Sequence, residues 1–134
     1  MDSQVLRYRT DDRLVTDLTA DIAQFLSGRG DGLLSLFVPH ATAGLAVFEL
    51  HAGTEQDLAA TFDRMLPPQD IYRHRHGSTG HGRDHVLPAF VAPTLTFPVL
   101  AGQVPLGTWQ SIVLVDPNRD NPDRSVRFSF LAAG

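Results

Sequence analysis

Four of the six histidines fall in one short stretch, HRHGSTGHGRDH, as His74, His76, His81 and His85. Imidazole binds zinc, copper, iron and nickel, and it titrates near neutrality, so this density of rings suits a metal site or proton transfer. The spacing of His81 and His85 would put both rings on one side of a helix, as in helical zinc motifs. Gly80 and Gly82 flank His81 and argue against a helix there, and the glutamate base of an HExxH motif is missing. A polar surface loop is the plain alternative. Gly77, Gly80 and Gly82 nevertheless let backbone and ligand approach closely, a freedom that a solvated loop does not need.

Other residues with chemical potential are scattered along the chain. His40 follows the apolar run GLLSLFVP, either as a turn histidine bonded to backbone or as a polar group at the end of a sheet. Glu49 interrupts the apolar stretch GLAVFEL, where a carboxylate in a core-like strand should be paired or titrate abnormally. Trp109, the only tryptophan, precedes Gln110 and suits a core or an interface as well as a ligand. Arg124 could clamp a phosphate, or could simply pair with its acidic neighbours Asp120 and Asp123.

Composition narrows the chemistry. The chain has no cysteine, which excludes disulfides and thiolate metal sites and leaves histidine and carboxylate as ligands. It has no lysine, and its eleven arginines are dispersed within a net charge of -4, so a nucleic-acid partner is not expected. No run approaches the roughly 18 apolar residues of a membrane span, and the N-terminus lacks an apolar export segment, so a soluble cytoplasmic protein is expected. A nucleophile elbow, a phosphate loop and a dinucleotide fingerprint are all missing.

The positioning elements can be read from periodicity. A short strand is expected at VLRYRT. A helix should cover TDLTADIAQFLSG, with Leu18, Ile22, Phe25 and Leu26 on one face and a stop at Gly28. GLLSLFVP and GLAVFEL have strand length, with His40 in the turn between them. A second helix is expected in GTEQDLAATFDRMLPP, capped by Thr54, with Leu58, Phe62, Met65 and Leu66 sharing a face. Asp84 could cap a short third helix through HVLPAFVA, with His85 at its start. Strands follow at TLTFPVL, TWQSIVLVD and RSVRFSFL, the last alternating Val126, Phe128 and Phe130 with polar residues. The 134 residues then make one α+β domain: a layered, β-sandwich-like arrangement of mostly antiparallel strands with two longer helices and one short helix.

The stretches FVPHATAGLAVFE, YRHRHGSTGHGRDHVLPAF and LGTWQSIVLVD, in this order, resemble the YjbQ-like family, also described as secondary thiamine-phosphate synthases, over nearly the whole chain. Two departures from the family pattern are Ala41 in the histidine turn and Phe48 before Glu49. The resemblance implies a divalent metal, zinc among the candidates, on His40, His74 and His85. It also places Glu49 in the site, as base or as orienter of a ligand histidine, with contacts to substrate from Thr42, Trp109 and Gln110; His81 is then either a fourth ligand or a group that orients what is bound, and Arg124 would assist catalysis electrostatically. His76 is an extra outside the pattern. The implied protein is a homotrimer whose site lies near the subunit interface. Its implied reaction joins a pyrimidine diphosphate to a thiazole phosphate, so its partner is a small phosphorylated metabolite. Two alternatives share these residues: a metal-dependent hydrolase of a small phosphorylated or acyl substrate, and a non-catalytic trimer that binds a metabolite or anion.

Overall fold

A computed structural model describes residues 1–134 except Asp70 and His76, so the expectation for His76 lies outside the described residues. Its elements are strands β1 (Asp2–Arg9), β2 (Val15–Asp17), β3 (Gly32–Phe37), β4 (Gly44–Phe48), β5 (Thr94–Val99), β6 (Ser111–Val115) and β7 (Asp123–Ala132), and helices α1 (Thr19–Leu26), α2 (Thr54–Met65) and α3 (His81–Val86). A 3-10 turn, Leu87–Ala89, continues from α3. Among the described residues, every strand pairing is antiparallel, giving a four-stranded sheet β1-β7-β3-β5 and a three-stranded sheet β2-β6-β4.

The apolar pattern explains this layering. Successive side chains of a strand point to opposite faces, so a strand buried on both sides reads as a continuous apolar run. In β6, Ile112 and Leu114 face a core shared with Leu34, Leu36, Val126, Phe128 and Phe130 of the larger sheet. Leu18, Ile22 and Leu26 of the α1 segment complete that core. Val113 and Val115 point the other way, onto Phe62, Leu66 and Leu87, so α2 and the α3 region cover the second face of the smaller sheet. In β7, Val126, Phe128 and Phe130 are buried and the intervening side chains are not, as their alternation predicts.

Four local expectations are corrected. Residues 15–17 pair with β6 as β2, so α1 starts only at Thr19. Met65 is 52% exposed rather than on the buried face of α2. Gly53, in the left-handed region at φ 85°, occupies the cap position of α2, and Thr54 instead sends its hydroxyl back to the carbonyls of Glu49 and His51. Helix α3 begins at His81 with Gly80 (φ 91°) at its cap, so Asp84 lies inside the helix and His85 in its last turn. The glycines that argued against a helix at His81 in fact allow one: Gly80 turns the chain sharply into it.

Candidate functional site

Because α3 begins at His81, the 3.6-residue period stacks His81 and His85 on one face of the helix. His74, from the preceding loop, completes a group whose ligand nitrogens lie within 4.8 Å of one another. The His74 ring stacks on His81 at 5.3 Å between centroids and tilts against His85 at 4.3 Å. Close backbone approach makes this possible. A Cβ on Gly82 would sit 2.5 Å from the His74 carbonyl oxygen, and one on Gly77 would sit 2.8 Å from His81 Nδ1.

The proton arrangement follows from the partners. His81 Nδ1 lies 2.7 Å from an Asp120 carboxylate oxygen. An ionised carboxylate only accepts, so Nδ1 carries a proton, and in the neutral ring Nε2 then keeps its lone pair. That Nε2 is 3.0 Å from His85 Nε2. Hydrogen bonds from Ser78, and then His81, hold the Asp120 carboxyl below the ordinary carboxylate range. Asp84, buried on the inner side of α3, accepts from Arg83 Nε at 2.9 Å and from Asn118 Nδ2 at 3.2 Å. Burial raises its pKa, with Arg83 opposing.

The donor set fits a divalent ion. Tetrahedral zinc takes imidazole nitrogens at about 2.0–2.1 Å, which sets neighbouring nitrogens about 3.3 Å apart. The observed 3.0 Å between His81 and His85 is close to that spacing. Three imidazole nitrogens suit zinc or another borderline cation. A cavity of about 170 Å³ opens onto the cluster, with His74, Gly77, Ser78 and His81 in its wall. A larger cavity of about 540 Å³ takes in Ser78, Thr79, Arg83, Asp84 and Asp116 but none of the three histidines.

The remaining residues singled out in the sequence lie elsewhere. Arg124 is 6% exposed and committed to Asp116, through Nε at 2.6 Å and a terminal nitrogen at 3.3 Å. Its other contact is the Thr42 hydroxyl at 3.0 Å. The expected pairing with Asp120 and Asp123 is thus replaced by one with Asp116, because Asp120 turns to His81 and Ser78 while Asp123 reaches Arg9. His40 Nε2 accepts the Ser125 N–H at 2.9 Å. Burial, and secondarily the Arg124 charge, lowers the His40 pKa, with Asp116 opposing. Glu49 lies beyond the end of β4 and is exposed. Gln110 closes its own turn by accepting the Gly107 N–H at 2.8 Å, and Trp109 is 72% exposed.

The structure therefore gathers His74, His81 and His85, and sets His40, Thr42 and Arg124 in a second polar group around Asp116. Asn118, 3% exposed, joins the two: its N–H donates to Asp116 and its side-chain amide to Asp84. Asp116 and Asn118 escaped sequence reasoning. The available signal was the alternation of Asp116, Asn118 and Asp120 just after an apolar strand.

A two-sheet α+β protein with a histidine cluster on the short helix beside its smaller sheet is the class that fold and site define. Within it, the chain belongs to the UPF0047 protein YjbQ-like family, whose family model matches residues 4–133. It is 58% identical over 131 residues to a UPF0047 protein of Mycobacterium tuberculosis, covering 98% of each chain. With the UPF0047 protein YugU of Bacillus subtilis it shares 30% identity over 100 residues, 72% of this chain and 74% of that one. Among solved structures, a hypothetical protein from Aeropyrum pernix superimposes with a TM-score of 0.88 at 28% identity, covering 99% of this chain and 100% of the other. A conserved hypothetical protein from Thermus thermophilus does so with a TM-score of 0.81 at 29% identity, over 96% and 99%.

Proposed function

We propose that this protein is a divalent-metal enzyme acting on a small phosphorylated metabolite, with His74, His81 and His85 as the metal ligands. The observation that carries this reading is the convergence of their nitrogens within 4.8 Å. His81 replaces His40 in the ligand set implied by the family resemblance, because His40 Nε2 is already bonded to the Ser125 backbone. A divalent ion held here would supply Lewis acidity toward a phosphoryl or carbonyl oxygen and lower the pKa of bound water.

The chain's own groups would then orient and exchange protons. Asp120 holds the His81 proton at Nδ1. Asp84, whose carboxyl pKa is raised by burial with Arg83 opposing, precedes His85 in α3 and lines the 540 Å³ cavity on that side of the helix.

Two reactions fit. The secondary thiamine-phosphate synthase reading joins a pyrimidine diphosphate to a thiazole phosphate, and it needs cationic groups for a departing diphosphate. Hydrolysis of a phosphorylated or acyl substrate is the second. It is favoured by the commitment of Arg124 to Asp116, which leaves that guanidinium occupied before any diphosphate arrives. Assembly as a cytoplasmic homotrimer belongs to the same proposal.

The first test is metal content by elemental mass spectrometry. Near-stoichiometric divalent metal is expected in the wild type and in His51→Ala, and loss is expected in His85→Ala. Absence of metal from all three after reconstitution would overturn the metal reading. Metal-loaded protein is then assayed for thiamine phosphate formation and against a phosphoester and acyl-substrate panel. Turnover in only one assay selects the reaction, and turnover in neither rejects both.

A further inference from the structure

We infer that Asp120 is the positioning residue of the histidine cluster: it holds the His81 ring in the tautomer protonated at Nδ1, so that the Nε2 lone pair faces His74 and His85. This goes one step beyond the metal reading and rests on it for its purpose, though the tautomer itself can be measured without metal.

The geometry is specific. The Asp120 carboxylate meets His81 Nδ1 at 2.7 Å, and the same carboxylate accepts the Ser78 N–H at 3.2 Å and 3.3 Å. Its backbone N–H donates to Asn118 Oδ1 at 3.1 Å. Asn118 is in turn fixed by its bonds to Asp84 and Asp116. The carboxylate is therefore held from both sides before any ligand arrives.

A rival arrangement can be set aside on chemical grounds. Asn118 Nδ2 lies 3.3 Å from the same His81 nitrogen, and donation there would need the opposite tautomer. A carboxylate contact at 2.7 Å outweighs a neutral amide contact at 3.3 Å. The sequence makes room for the chosen pair: a Cβ on Gly77 would lie 2.5 Å from the Asp120 oxygen and 2.8 Å from His81 Nδ1. A carboxylate that fixes the far nitrogen of a ligand histidine both orients the ring and raises its basicity, and removing one typically costs 10–100-fold in metal affinity.

Two readouts test this. Long-range nitrogen–proton NMR on metal-free protein reports the His81 tautomer directly. The Nδ1–H form is expected in wild type and in the control Asp123→Ala, and its loss is expected in Asp120→Ala. Zinc titration against a chromophoric chelator should show affinity about 10–100-fold lower in Asp120→Ala, with partial recovery in Asp120→Asn, whose amide oxygen can still accept the proton. An unchanged tautomer and unchanged affinity in Asp120→Ala would overturn the inference. Wild-type protein that takes up no zinc would defeat the metal reading, while the tautomer measurement would still decide the role of Asp120.

Discussion

Arg124 shows how one side chain changes meaning between sequence and structure. An arginine beside a polar loop looks like an anion clamp, yet its guanidinium is buried against Asp116 and Thr42. A buried ion pair is costly to break from one side, because the remaining charge stays in the interior without its partner. Arg124→Ala is therefore expected to destabilise the fold by roughly 3–5 kcal/mol, read as a lower urea midpoint. An unchanged midpoint with lost substrate turnover would instead return Arg124 to the reaction. His40 sits in the same neighbourhood, bonded to the Ser125 backbone, and its role is read first as joining β7 to the turn before β4.

At the scale of elements, α3 is where the site is made. Six residues suffice because a single turn stacks His81 over His85, and the glycines before and inside it let the His74 strand of the loop lie directly against the helix. Gly82 tests this. Alanine is the better helix former by about 0.5–1 kcal/mol, so an ordinary helical glycine would gain stability on substitution. Here the new Cβ would sit 2.5 Å from the His74 carbonyl oxygen and 2.9 Å from Tyr72 Cβ. Gly82→Ala is expected to lower the melting temperature and to weaken zinc binding about 10-fold or more as His74 is pushed aside. A more stable variant with full affinity would show that the loop gives way freely and that the close packing is incidental.

For the molecule as a whole, the outer face of the four-stranded sheet is the notable surface. Val5, Leu33, Phe37 and Leu131 are exposed, and the register sets Leu33 opposite Leu131 and Val5 opposite Arg127, so all four project on the same side. The trimer proposed above would cover apolar side chains of this kind. Light scattering is expected to give the mass of three chains for wild type and a smaller species for Leu131→Glu. A monomeric wild type would exclude the trimer. Among the described residues no helix is long and apolar enough to cross a membrane.

Six of the seven described strands, the two longer helices and the α+β layering were legible in the sequence, because apolar periodicity reports directly which faces are buried, as at Val126, Phe128 and Phe130, whereas β2 was hidden in the run read as the first helix. The histidine-rich stretch was visible as chemistry for the same reason: residue type is a local property. Its geometry was not. Whether His81 starts a helix depends on a left-handed Gly80. Whether the rings converge depends on clearance at Gly82, and which nitrogen of His81 carries the proton depends on Asp120, 39 residues away in the chain. Periodicity along a chain carries information about the solvent side of each residue, whereas hydrogen-bond partners from separate loops are chosen only when the two sheets and their covering helices have packed.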